Sequence, residues 1–327
     1  MSFRKSLDYY LLQHWRAARL ELATARLVPR ISAITSSRTG VHGRPQPMTV
    51  FTAADAKYLA KYGAGFVGSL VKHVFAPRLH VHLYNPTPSS IALLQSFGAA
   101  YPTLSLTWTT ENFSARLMEQ RSGSGPKQSW KSLYICCSRF LAARSVQNAL
   151  GTALLILDID LIFNGAIANR FGGGIDYAVM RRPREHNLCK RTLGGVVYAA
   201  FTPLGRMFLR ETQERIERFL AAGRYWFAFD QYALHLALRH MAKEEHLKGF
   251  SEITKEDVSF DLAPEALILY PKGATKNTQA FARLAGRFER ELHIKLAKAR
   301  SQASRSLTPA RWSSVVSSLS PALQSIR

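Results

Sequence analysis

Two aspartates one residue apart, Asp158 and Asp160, stand at the end of the apolar run "ALLIL" (Ala153 to Leu157). An apolar run that short predicts a buried strand, and carboxylates at its end are costly to desolvate unless something compensates them. In extended chain, residues i and i+2 face the same way, so both carboxylates can address one point. Two hard anionic oxygens converging there suit Mg2+ or Mn2+, which favour oxygen ligands and keep positions open for phosphate oxygens. The pair also reads as strand-end caps matched with arginines. Acid-x-acid spacing arises readily by chance, so the weight rests on the strand that precedes it.

Such a pair needs a sheet to hold it, and the flanking sequence supplies one. From Met48 onward, strand and helix patterns alternate. "MTVFTAADAKYLAKYGAGFVGSLVKHV" reads as a strand, a loop with Asp55, and a helix. "LHVHLYNP" is a strand closed by Asn-Pro, followed by a helix at 88–98, and "LSLTWTT" is a further strand. A helical segment around "SLYICCSRFLAARSV" precedes the strand at 153–157, and "DYAVM" and "GGVVYAAF" are later strands. "PLGRMFLRETQERIERFLAAG" is a helix. Alternation of this kind predicts an α/β fold with a mostly parallel sheet covered by helices, in which ligands bind outside the carboxyl ends of the strands. Residues 1–30 read as an arginine-rich amphipathic helix ended by Pro29, residues 31–47 as a linker, and the serine-rich tail from Lys298 as disordered.

Composition narrows the setting. The 327 residues carry 44 Lys and Arg against 22 Asp and Glu, a net charge of +22. Such a field attracts polyanions without choosing among them. No apolar run reaches the ~18 residues a membrane-spanning helix needs, and the N-terminus lacks a secretory pattern. Three cysteines (Cys136, Cys137, Cys189) form neither a disulfide framework nor a metal spacing, which predicts a reducing, cytoplasmic setting. The histidines show no zinc-ligand spacing.

Read together, several segments resemble GT-A-type glycosyltransferases, near the glycogenin-like and bacterial galactosyltransferase families that use nucleotide-diphospho-sugar donors. The resemblance spans about residues 48–285. It rests on "TAADAKYLAKYGAGFVGSL", "LYICCSRFLAA", the Asp-x-Asp strand "LLILDIDLIFNGAI", the pair "LGGVVYAAFTPLGRMFL" and "YWFAFDQYALHLAL", and "YPKGATK", which is spaced like the family's HxxGxxK. It implies a GT-A-like domain over 48–285, with a basic helical extension and linker at 1–47 and a basic helix and tail at 286–327.

The same resemblance implies roles. Asp158 would contact the donor ribose and the metal, and Asp160 the metal, expected as Mn2+ or Mg2+. Arg139 would reach the donor diphosphate, and Asp55 with Tyr58 would line the nucleoside pocket. Gly273 and Lys276 would hold the diphosphate, while Asp230 and Gln231 would lie at the sugar or acceptor side. The implied partners are a nucleotide-sugar, a uridine-diphosphate sugar first among them, and a glycan, protein or lipid acceptor. The basic termini suit peripheral contact with the inner face of a membrane; nucleic acid is not an expected partner. Two departures stand out: Tyr270 replaces a histidine metal ligand, and Gly194-Gly195 replaces an Asn-containing loop.

Plainer readings remain open for several of these residues. Asp55 reads equally as a helix cap, Arg139 as a structural ion-pair partner, and Asp230 and Gln231 as core polar groups. Lys272 and Lys276 read also as a solvated turn. Tyr225, Trp226, Phe227 and Phe229 read as core, and "RRPREHNLCKR" (Arg181 to Arg191) as a mobile loop. A haloacid-dehalogenase-type phosphatase also places Asp-x-Asp after a strand, but near the start of its domain and with Thr or Val where Ile162 stands. A non-catalytic polyanion- or membrane-binding module on a degenerate transferase fold is the other alternative.

Overall fold

The computed structural model describes residues 35–36, 48–112, 130–167, 170–171, 174–221, 228–244 and 246–306. The expected N-terminal helix, most of the 31–47 linker, the aromatic residues Tyr225, Trp226 and Phe227, and the tail beyond 306 lie outside them. In chain order the elements are β1 (Thr35–Ser36), β2 (Met48–Asp55), α1 (Ala56–His73), β3 (Arg78–Tyr84), α2 (Pro88–Ala100), β4 (Ser105–Glu111), α3 (Trp130–Leu150), β5 (Ala153–Leu157), β6 (Ile162–Phe163), β7 (Tyr177–Arg181), β8 (Thr192–Ala199), α4 (Pro203–Ala221), α5 (Phe229–Lys243), β9 (Phe250–Glu252), β10 (Val258–Ser259), β11 (Ile268–Leu269) and α6 (Gln279–Ser306). They divide between two compact units: α3 to α5 with β7 to β9 form one, and the remaining elements form the other.

In the unit that holds the carboxylate pair, β2 pairs in parallel with β3 on one side and β5 on the other, and β3 pairs in parallel with β4. The four residues Leu154 to Leu157 are fully buried, as the apolar run predicts. The chain moves outward from β2 through α1 and α2 to β4, then returns to β2's opposite edge as β5. Strand order therefore reverses between β2 and β5, and the register Thr52 to Leu157 brings their carboxyl ends together. That reversal is where open α/β sheets leave a crevice for ligands. Asp55 ends β2; Asp158 and Asp160 follow β5.

A small second sheet completes this unit. β6, directly after the aspartates, pairs antiparallel with β11 in the register Ile162 to Leu269. Asn164 fastens the connection, its side-chain amide donating to the carbonyls of Pro264 (2.7 Å) and Ala266 (3.0 Å). Helix α6 then packs on α1, and Gly68 allows the approach: a Cβ there would lie 2.9 Å from Phe288. The domain limit expected at residue 285 falls inside α6, and the segment from Lys298 to Ser306, read as disordered tail, is helical. The cause is an apolar stripe of Phe281, Phe288, Leu292 and Leu296, all buried, at helical spacing.

The second unit is built on β7, which pairs antiparallel with β8, with a register shift between Val179 and Met180, and in parallel with β9. Tyr177 of β7 stacks on Phe208 of α4 at 4.8 Å between ring centroids, and Phe219 of α4 stacks on Tyr232 of α5 at 5.8 Å. Gln147 of α3 donates to the carbonyls of Ala199 and Ala200 where β8 ends (3.0 and 3.1 Å). Among the described residues no helix is long and apolar enough to cross a membrane.

Candidate functional site

The antiparallel register of β6 and β11 decides what meets the aspartates. With Leu269 against Ile162, the next residue, Tyr270, runs back toward the segment that joins β5 to β6. Its hydroxyl donates to Asp158 Oδ2. A few residues on, the 3-10 turn Gly273–Asn277 brings in Lys276, whose ammonium donates to Asp160 Oδ2. Gly273 opens that turn at φ +56°, a left-handed backbone that favours glycine, and no atom stands within 4 Å of where its Cβ would be. Backbone conformation, rather than space, therefore favours glycine here. Lys272 lies over the Tyr270 ring at 4.8 Å and over Phe260 at 5.0 Å, bracing the tyrosine from its other face.

One atom in this cluster is unspent. Asp160 is 5% exposed, and its Oδ1 is buried with no hydrogen-bond partner. Buried carboxylate oxygens are expensive to leave so. Asp158 is engaged by a phenol and Asp160 by an ammonium, with a second ammonium, Lys272, over the phenol ring, so the place left for a further cation is the Oδ1 of Asp160. Among the described residues no group of three His, Cys, Asp or Glu side chains is arranged to hold a metal. Asp158 and Asp160 would thus hold a divalent ion through two carboxylates, the rest of its shell coming from ligand oxygens and water, which suits Mg2+ or Mn2+. The donor set fits that ion on these terms.

Asp55 and Tyr58 lie at the same sheet edge. Asp55 is the N-cap of α1, its Oδ1 accepting from the Tyr58 backbone N–H at 2.8 Å. Tyr58 is 48% exposed, a large apolar ring left in solvent, with Tyr62 at 5.5 Å between ring centroids. The cap reading of Asp55 is the geometry observed, and it leaves the ring of Tyr58 presented at the carboxyl end of β2.

Arg139, Asp230 and Gln231 belong to the second unit. Arg139 Nη2 donates to the Gly194 carbonyl at 2.9 Å and meets Asp230 Oδ2 at 3.4 Å, with both side chains buried. Gly194 makes room for this pair: a Cβ there would stand 3.1 Å from Asp230 Oδ2 and 3.2 Å from Arg139 Nη2. The glycine that departs from the resembled pattern is thus the seat of an arginine–aspartate pair. Gln231, with its amide nitrogen turned inward, donates to the carbonyls of Cys189 (3.1 Å) and Thr192 (3.3 Å).

The basic segment Arg181 to Arg191 is built into this unit, contrary to its expected character as a mobile loop. Asn187 caps the turn Leu188–Lys190, Leu188 and Cys189 are buried, and Arg191 Nε donates to the Glu185 carbonyl at 2.7 Å. Two apolar side chains in a basic run anchor it. A depression of about 360 Å³ lies beside it, edged by Arg181, Arg191, His235 and Arg239 over Leu238 and Phe250.

Sequence reasoning missed one buried array. His80 and His82 of β3 face Thr107, Thr109 and Glu111 of β4 in an unbroken series. His80 Nδ1 meets Thr107 Oγ1 (2.8 Å) and His80 Nε2 meets Thr109 Oγ1 (3.1 Å). His82 Nδ1 meets Thr109 Oγ1 (2.7 Å) and His82 Nε2 meets Glu111 Oε2 (3.0 Å). A Glu111 carboxylate can only accept, so His82 donates from Nε2 and accepts from the Thr109 hydroxyl. That hydroxyl in turn accepts from His80 Nε2, and Thr107 donates to His80 Nδ1. Burial, with His82 adding to it, pushes the His80 pKa down to about 3. The signal was present as period-two polar residues in both "LHVHLY" and "LTWTTE".

No family model matches the chain, and no curated protein does. Among solved structures, it is similar to the apo form of the glycosyltransferase GlyE of Streptococcus pneumoniae TIGR4 (TM-score 0.49, 13% identity, covering 77% of this chain and 64% of that one). A second GlyE structure gives TM-score 0.47 and 16% identity over 78% of this chain and 63% of that one. The galactosyltransferase LgtC in complex with donor and acceptor sugar analogs gives TM-score 0.47 and 12% identity, over 73% and 96%. The matched part thus spans less than two thirds of either GlyE chain. At these values the likeness does not bear on chemistry.

Proposed function

We propose that the chain is a glycosyltransferase that takes a sugar from a nucleotide-diphospho-sugar and passes it to an acceptor. The observation that carries the reading is the buried, unspent Oδ1 of Asp160 in a carboxylate pair at the β2–β5 reversal, with the Lys276 ammonium beside it. A buried carboxylate oxygen with no partner has use for a cation, and a cation beside an ammonium has use for a polyphosphate. Departure of a nucleoside diphosphate from a sugar develops charge on the phosphate oxygens. A divalent ion on Asp158 and Asp160 would supply Lewis-acid stabilisation there.

The chain's own residues do the rest in this reading. Asp158 and Asp160 fix the cation's position, and the Tyr270 hydroxyl holds the Asp158 carboxylate in one orientation. Lys276 shares the developing phosphate charge. The ring of Tyr58 offers a flat apolar face to a nucleobase at the end of β2. The acceptor is a glycan, protein or lipid, and the basic termini would hold the chain to an anionic membrane surface.

The test is thermal unfolding of the full chain against nucleoside diphosphates and their sugar esters, with and without Mn2+. The reading expects stabilisation by one nucleotide family that needs both the diphosphate and Mn2+, and that disappears in Asp160→Ala. Turnover of p-nitrophenyl phosphate, lost in Asp158→Asn, together with indifference to nucleotide-sugars would replace the transferase by a phosphatase.

A further inference from the structure

The partners of the two aspartates differ in how tightly they are held. Asp160 sits on a fixed strand connection with 6% of its side chain exposed, whereas Lys276 has 26% exposed and reaches in from the short turn Gly273–Asn277. Tyr270 is likewise buried and braced by Lys272. In this cluster the ammonium is thus the group that can leave, by rotating its own methylene chain, while carboxylate and phenol keep their places. Its present seat is one oxygen of Asp160; the other oxygen has no partner.

We infer that Lys276 is a latch on Asp160 that makes a divalent cation and a diphosphate bind as a pair. The inference rests on the proposed cation–diphosphate site and adds a rule for how it fills. A divalent ion arriving alone competes with the Lys276 ammonium for Asp160, and displacing it leaves that ammonium without its carboxylate. A diphosphate arriving alone meets two carboxylates and, in Lys276, an ammonium already engaged by one of them. When both arrive, Lys276 moves from the aspartate to the phosphate oxygens. Each released group then has a partner of opposite charge. The gain belongs to the pair of ligands, so each raises the other's affinity by the same factor.

Manganese alone and inorganic pyrophosphate are the probes, used on the full chain. Free Mn2+ is read by its solution paramagnetic resonance signal, and pyrophosphate by retention of the labelled anion in equilibrium dialysis, with and without Mn2+. Native protein should bind Mn2+ alone weakly and retain pyrophosphate only when Mn2+ is present. Lys276→Met should bind Mn2+ alone roughly tenfold more tightly or better, within the ~5–150-fold range usual for coupled sites, while losing the cooperative retention of pyrophosphate. Lys276→Gln with an unchanged melting temperature guards against a folding defect. Equal Mn2+ affinity in native and Lys276→Met protein, abolished by Asp160→Asn, would overturn the latch and leave the cation site standing. Absence of Mn2+ binding and of pyrophosphate retention in native protein and in both Lys276 variants would overturn the site itself, and the latch with it.

Discussion

Two polar clusters lie in the same unit, one sheet position apart, and they are built on opposite principles. Between β3 and β4, the two histidines, two threonines and Glu111 form a series in which each ring nitrogen and each threonine hydroxyl has a partner. At the end of β5, two carboxylates are met by a phenol and an ammonium, and one carboxylate oxygen is buried without a bond. The first cluster is closed and spends its polarity on holding two strands in register. The second is open, and its leftover polarity is available to a ligand. Burial alone does not separate structural from functional polar groups.

The contrast can be broken from either side. Asp160→Asn removes the charge that needs a cation and should lower nucleotide-sugar turnover by about 10²–10³-fold, the usual cost of losing one preorganised electrostatic group. Its melting temperature should move less than that of any variant in the histidine series, as paired calorimetric scans would show. Thr109→Val does the reverse. It strips partners from His80 Nε2 and His82 Nδ1 together, so chemical denaturation should report a loss of about 2–4 kcal/mol while Mn2+-dependent nucleotide binding persists. If Thr109→Val abolished binding at unchanged stability, the two roles would be exchanged.

Acidification sharpens the same comparison. His80 stays neutral in the folded chain down to about pH 3, whereas the unfolded chain takes up its proton near 6.5. The unfolded state thus binds more protons between these values, and stability falls as pH drops from about 6.5, by ~1.4 kcal/mol per unit for one histidine. Urea midpoints across that window should show the slope, and His80→Gln should flatten it. The smallest effect is expected at Gly273→Ala, where only a left-handed backbone is opposed and space is open, for a loss of about 1 kcal/mol in the same assay.

Much of this architecture was legible before any coordinates. The apolar run before Asp158 specified a central buried strand, but the extended chain expected to aim both carboxylates at one point is instead a turn at Ile159 and Asp160. The helix–strand alternation was equally readable because each element carries its own period. What escaped were properties that belong to pairs of distant segments. Tyr270 and Lys276 were placed near the aspartates by resemblance alone; they meet them across 112 and 116 residues, through a two-residue strand pairing too short to leave a pattern of its own. The histidine series required knowing that β3 and β4 pair with His80 opposite Thr107. Gly194 looked like a departure from a loop pattern, and only packing shows it as the space that seats Arg139 against Asp230. A basic helix was expected from residue 286, but its start at Gln279 and its run past Lys298 were not, because a strongly basic, serine-rich neighbourhood outweighed four buried apolar residues.

The central claim is that Asp158 and Asp160 share one divalent cation, with Lys276 nearby for the phosphates. Crystals of the full chain grown with Mn2+ and a nucleoside diphosphate, measured at a wavelength where manganese scatters anomalously, examine it directly. The account predicts a single strong anomalous peak within coordination distance, about 2.0–2.3 Å, of an oxygen from each aspartate, with Lys276 drawn from Asp160 to the diphosphate. A nucleotide seated elsewhere, with no peak between the aspartates and Lys276 still on Asp160, would contradict it.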